Sequence, residues 1–104
     1  MAATTEVRLG STYRVIVPFY ALSDGTTLTD LDSAPSLQVY DQAGVTAIGS
    51  AITCTKDSTG IYHGDIELVS TTFTAGTVYQ WIMAGHSGGK DQSMSGYLVV
   101  LQVV

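Results

Sequence analysis

Asparagine is absent from the chain, cysteine and tryptophan occur once each, and proline occurs twice. Without Asn there is no N-glycosylation sequon, and the turns must be built from Gly, Asp, Ser and Pro. Cys54 stands alone, so no intramolecular disulfide can supplement the core and stability rests on packing. Charge is scarce too: Asp, Glu, Lys and Arg make up 12% of the 104 residues, against a usual share of roughly 25%. The four cations, Arg8, Arg14, Lys56 and Lys90, are scattered along the chain. Phosphate-backbone binding needs them clustered, so nucleic acid is excluded as a partner. No run approaches the roughly eighteen apolar residues of a membrane span, and no insertion into a membrane is expected. The opening MAATTEVRLG lacks the basic and apolar regions of a signal peptide. Read from Met1, the chain is expected to be a complete small protein made in the cytoplasm without an export signal.

The length allows one domain, 1–104, with one core. Apolar residues make up 45% of it and the formal net charge is −5, while fourteen Thr and ten Ser supply most of the polarity. A surface so short of charge implies that part of it is covered. Alternation is the dominant period. In STYRVIVPFY, Tyr13, Val15, Val17 and Phe19 point one way and Arg14, Ile16 and Tyr20 the other. Pro18 has no ladder donor, so a bulge, an edge or a change of pairing is expected there. Before it, Val7 and Leu9 alternate with Glu6 and Arg8 up to a Gly10-Ser11 turn. Residues 21 to 36 lack alternation and read as a crossing loop. A strand through Leu37 and Val39 follows, then a weaker one across Ala51 to Thr55 with Ile52 and Cys54 on one face, then IYHGDIELV with Tyr62, Ile66 and Leu68 inward. SGGKDQS separates two last strands, GTVYQWIMAG at 76 to 85 and SGYLVVLQVV at 95 to 104. The pattern predicts an all-β, immunoglobulin-like antiparallel Greek-key β-sandwich of about seven strands. Its expected core is Tyr13, Val15, Val17, Phe19, Leu37, Val39, Tyr62, Ile66, Leu68 and Trp81.

Catalytic chemistry has few candidates. Cys54 sits in an apolar alternation and reads as a buried structural thiol. His63 faces outward on its strand and His86 lies beside Gly88-Gly89 at a strand end, and neither has a nucleophile and an orienting group near it in sequence. The acidic stretch of Asp24, Asp30 and Asp32 has too few and too poorly spaced carboxylates for a calcium cage, and one Cys with two separated His has no zinc spacing. AGHSGGK lacks the phosphate-loop pattern, since Asp91 follows Lys90. No catalytic, cofactor-binding or metal-ligating residue is assigned, and no cofactor is implied.

The order of turns carries a resemblance. Gly10-Ser11-Thr12 opens an alternating strand, Asp24-Gly25 makes a turn, and Val39-Tyr40-Asp41-Gln42-Ala43-Gly44 closes a strand. Thr59-Gly60-Ile61-Tyr62 enters the next, and a Gly-led aromatic strand runs from Gly76 to Trp81. In this layout the chain resembles small immunoglobulin-like virion proteins of tailed bacteriophages, over most of its length. Two features depart from the usual pattern: Gly76-Thr77-Val78-Tyr79 replaces Gly-x-Tyr, and no Pro follows Asp24-Gly25 promptly. The resemblance implies a non-enzymatic structural role in the virion, in capsid decoration, head-tail joining or a tail accessory part. Its implied partners are capsid or tail proteins or sister copies, as a homo-oligomer or many copies on a particle. A second class of function is an adhesion or carbohydrate-binding module of a bacterial surface or secreted protein, with Tyr20 and Tyr40 contacting ligand.

The last strand points to a contact surface. If Tyr97, Val99, Leu101 and Val103 serve the core, the opposite face presents Leu98, Val100 and Val104, interrupted only by Gln102. The aromatic strand repeats the anomaly with Val78 and Ile82 around Gln80. Antiparallel sandwiches keep one face of each strand polar. Val78, Ile82, Leu98, Val100 and Val104 are therefore expected to form an exposed protein-interface patch.

Overall fold

The computed structural model describes residues 4–21 and 23–102. Eight strands follow in chain order: β1 (Thr4–Arg8), β2 (Thr12–Pro18), β3 (Ser36–Asp41), β4 (Ala47–Thr53), β5 (Thr55–Ser58), β6 (Ile61–Glu67), β7 (Val78–Ser87) and β8 (Lys90–Leu101). They form a five-stranded sheet in the order β1-β8-β7-β3-β4 and a three-stranded sheet in the order β2-β6-β5. Every pairing is antiparallel except β1 with β8, which run parallel with Thr4 opposite Tyr97 and Arg8 opposite Leu101. This is the immunoglobulin-like Greek-key sandwich expected from the alternation, with one strand more than expected.

The core lies between the sheets. Val15 and Val17 of β2, Tyr62 and Ile66 of β6, Leu37 and Val39 of β3, and Phe19 and Leu68 just beyond strand ends are buried as the alternation predicts. Tyr13 and Trp81 are partly buried against the same cluster. Trp81 sits opposite Gly96, and a Cβ on Gly96 would fall 2.7 Å from the indole. The bare backbone of β8 is thus the floor on which the indole lies.

Pro18 ends β2, which is an edge strand, so the missing donor costs no ladder bond in mid-sheet. The weak strand expected across Ala51 to Thr55 is two strands. The chain leaves the larger sheet after Thr53, turns inward at Cys54, whose N–H donates to the Pro35 carbonyl at 2.9 Å, and joins the smaller sheet at Thr55. Burial pushes the Cys54 thiol up to about 11, which leaves it an unreactive packing group.

Two turns depend on glycine. Gly60 has φ +72°, and a Cβ there would lie 2.7 Å from Thr29 N and 2.9 Å from Phe19 O. Only a residue without a side chain lets the crossing loop lie this close to the entry of β6. The seven-residue separator expected at SGGKDQS shrinks to Gly88-Gly89, both with positive φ, flanked by the Ser87–Lys90 pair. Positive φ at both central positions is what a tight two-residue hairpin turn requires.

Candidate functional site

That tight turn decides which face of β8 looks outward. Counting back from Gly88-Gly89, Tyr79 stands opposite Leu98 and Val78 opposite Val99. Tyr79 and Met83 are in the core, so Leu98 and Val100 are there with them, both at 0% exposure. The expected patch is corrected accordingly: Leu98 and Val100 are core residues and present nothing to a partner. Val104 lies outside the described residues. Val78 and Ile82 are on the outer face, both partly exposed.

The outer face of the larger sheet nonetheless carries apolar side chains, through other residues and interleaved with polar ones. Tyr40, Gln80, Tyr97 and Thr4 form one cross-strand row over β3, β7, β8 and β1. Val78, Val99 and Glu6 form the next, and Leu101 stands opposite Arg8. Ile82 lies two residues along β7 from Gln80, opposite Ser95. Tyr40, Val78, Ile82, Tyr97, Val99 and Leu101 are all partly exposed, each shaded by its neighbours. The crossing loop packs on the inward side at Leu31, which approaches Gly85 and whose N–H donates to the Tyr62 hydroxyl at 3.0 Å, while Ser33 and Ala34 border the recess beside Ile82. β1 extends the sheet edge to edge. The strip combines aromatic and branched aliphatic side chains, with Glu6 and Arg8 at its border.

The titratable groups are mostly committed to structure. On the outer face of the smaller sheet Arg14 donates to both oxygens of Asp65, at 2.8 and 3.1 Å. This pairing raises Arg14 and lowers Asp65. Lys56 bridges to Asp30 at 2.7 Å, and the other Asp30 oxygen accepts the Gly60 N–H at 2.8 Å. The three carboxylates of the acidic loop serve separate turns, since Asp24 accepts from Thr26 and Thr27 while Asp32 meets the Gly88 N–H at 3.4 Å. Among the described residues no three His, Cys, Asp or Glu side chains gather to hold a metal ion.

Both histidines have carboxylate partners that local sequence did not reveal. His63 Nδ1 lies 2.6 Å from Asp57 and His86 Nδ1 lies 2.6 Å from Asp91. The His63 side chain is only 15% exposed, so it is covered where the alternation predicts a solvated ring. The His86–Asp91 pair spans the two strands next to the hairpin turn and lines a shallow recess of 580 Å³ with Ser33, Ser36 and Ser93. Among the described residues no serine hydroxyl is bonded to either imidazole. Tyr20 and Tyr40 are not brought together: Tyr20 lines a recess with Pro18, Gly25 and Met94, whereas Tyr40 faces out from β3 opposite Gln80.

One feature expected of an immunoglobulin-like chain is present despite the irregular Gly76-Thr77-Val78-Tyr79 entry. The Tyr79 hydroxyl accepts the Thr74 N–H at 2.8 Å, and its ring meets Phe73 edge-on at 5.0 Å. This is a tyrosine corner, which fixes the loop between β6 and β7 against the start of β7.

No protein-family model matches the chain, and no curated protein sequence matches it significantly.

Proposed function

We propose that this is a non-enzymatic structural protein of a tailed-bacteriophage virion, a capsid decoration or head-tail accessory component that acts by protein contact. The observation that carries the reading is the outer face of β7 and β8. These strands have apolar residues on both sides, and the side turned away from the core presents Val78, Ile82, Tyr97, Val99 and Leu101 on a chain with only 12% charged residues. The order of turns from Gly10-Ser11 to Thr59-Gly60-Ile61-Tyr62 supports the virion setting. The site residues of this reading are contact residues, with no catalytic or cofactor role assigned to any side chain.

Val78→Lys together with Val99→Lys tests it, because the two face each other across β7 and β8 on the outward side. The double variant is expected to keep its melting temperature within a few degrees, as surface substitutions usually do. It is also expected to lose self-association or co-sedimentation with phage particles. A variant that assembles or binds particles as the parent does would overturn the assignment of this face, and a parent that neither associates nor binds particles would overturn the virion reading.

A further inference from the structure

The two sheets leave a slot between them on the side away from β1. β5 is short and pairs with β6 only over Ile61 to His63. Beyond it, Gly64 to Glu67 are bonded to β2 on one side, and among the described residues no strand pairs with them on the other. Facing this open edge across the slot is β4, the outermost strand of the larger sheet, which pairs with β3 alone. The slot has a volume of 370 Å³ and reaches the core side chains Val39, Ile48, Ile52, Ile66 and Phe73. Thr72, in the loop after β6, also lines it and lies 3.5 Å from the Cβ position of Gly49.

We propose that this slot receives an extended segment of a partner protein, which continues the line of β5 along the open edge of β6. A free strand edge offers alternating N–H and C=O groups, and an extended backbone matches them. The core side chains beneath take alternate apolar residues of the same segment. The charge of the occupant follows from the rim. Asp65 and Glu67 stand there, and no lining residue is a cation. Arg14 already engages Asp65, whereas Glu67 is exposed and makes no ion pair among the described residues. A Lys or Arg in the segment meets Glu67. A second copy of this chain, with net charge −5, is the poorer match. The inference does not depend on the virion reading.

Two soluble peptides of alternating Val and Thr, one carrying Lys at its polar positions and one carrying Glu, are the probes. Amide exchange followed by NMR reads the result. The Lys peptide is expected to slow exchange at Asp65 and Glu67, whose amides face the open edge, and along β4, by about tenfold or more at saturation. The Glu peptide is expected to bind a few-fold more weakly, and Glu67→Lys, an exposed change whose folding is checked by its melting curve, should reverse that order. No slowing at millimolar Lys peptide, or slowing confined to β2 or β1, overturns the proposal. Protection of the same amides that grows with protein concentration alone also overturns it, since it would assign the slot to a second copy.

Discussion

Four aspartates hold turns or strand pairs, and each does so as the anion. Asp24 accepts the Thr27 hydroxyl at 2.6 Å and the N–H groups of Thr26 and Thr27 at 2.9 and 3.0 Å, which holds its carboxyl down at about 2. Asp30 is lowered by Lys56 and the Gly60 N–H, Asp41 by the N–H groups of Val45 and Thr46, and Asp65 by Arg14. A carboxyl whose folded pKa lies below its unfolded value of 3.8 stabilises the fold fully above that value and loses the contribution as pH falls through the folded value. The melting temperature is therefore expected to be level from pH 7 to about 5 and to fall between about pH 4 and 2. Asp24→Asn should make the acid limb shallower. A calorimetric series in which the decline starts above pH 5, or in which Asp24→Asn leaves the limb unchanged, would count against this role.

Among the elements, the corner that leads into β7 is the most exposed to a single-atom test. Tyr79→Phe keeps the ring against Phe73 and removes only the hydroxyl that accepts the Thr74 N–H. The expected loss is about 1 to 2 kcal/mol for a partly buried donor left without its partner. It would be read as a lower denaturation midpoint with an unchanged dependence on denaturant concentration, and an unchanged midpoint would mean that water replaces the hydroxyl.

β2, β3, β6 and β7 could be read directly from sequence, because each has one face of large apolar residues and one interrupted face. β8 could not, since Leu98 and Val100 on one side and Val99 and Leu101 on the other are equally apolar, and alternation then says nothing about direction. The deciding signal was present in Gly88-Gly89: taken as a two-residue turn, it places Leu98 opposite Tyr79 and hence in the core. Treating SGGKDQS as a loose loop discards that register. The change of sheet at Cys54 was hidden for another reason. Ile52 and Cys54 point to the core whether the strand continues in one sheet or crosses to the other, so the period is the same in both cases. The contacts of His63 with Asp57 and of His86 with Asp91 depend on register across strands and leave no mark in local sequence. The slot depends on the shortness of β5, which the continuous alternation from β4 into β5 conceals.

For the molecule as a whole, the parallel pairing of β1 with β8 has a mechanical consequence. The strands run in the same direction over five paired positions, so tension applied at Thr4 and at Leu101 draws them past each other along their lengths. Ladder bonds lie across such a load and must yield together, whereas a hairpin pulled at its open end parts one pair at a time. Single-molecule stretching through Thr4 and Leu101 should therefore require a higher rupture force than stretching through Val78 and Val99, the open end of the β7–β8 hairpin. Equal forces would show that the seam yields before it bears load. A body tethered through its first and last strands in this way is a clasp loaded in shear, and its resistance is set by the seam between β1 and β8 before the sandwich core is strained.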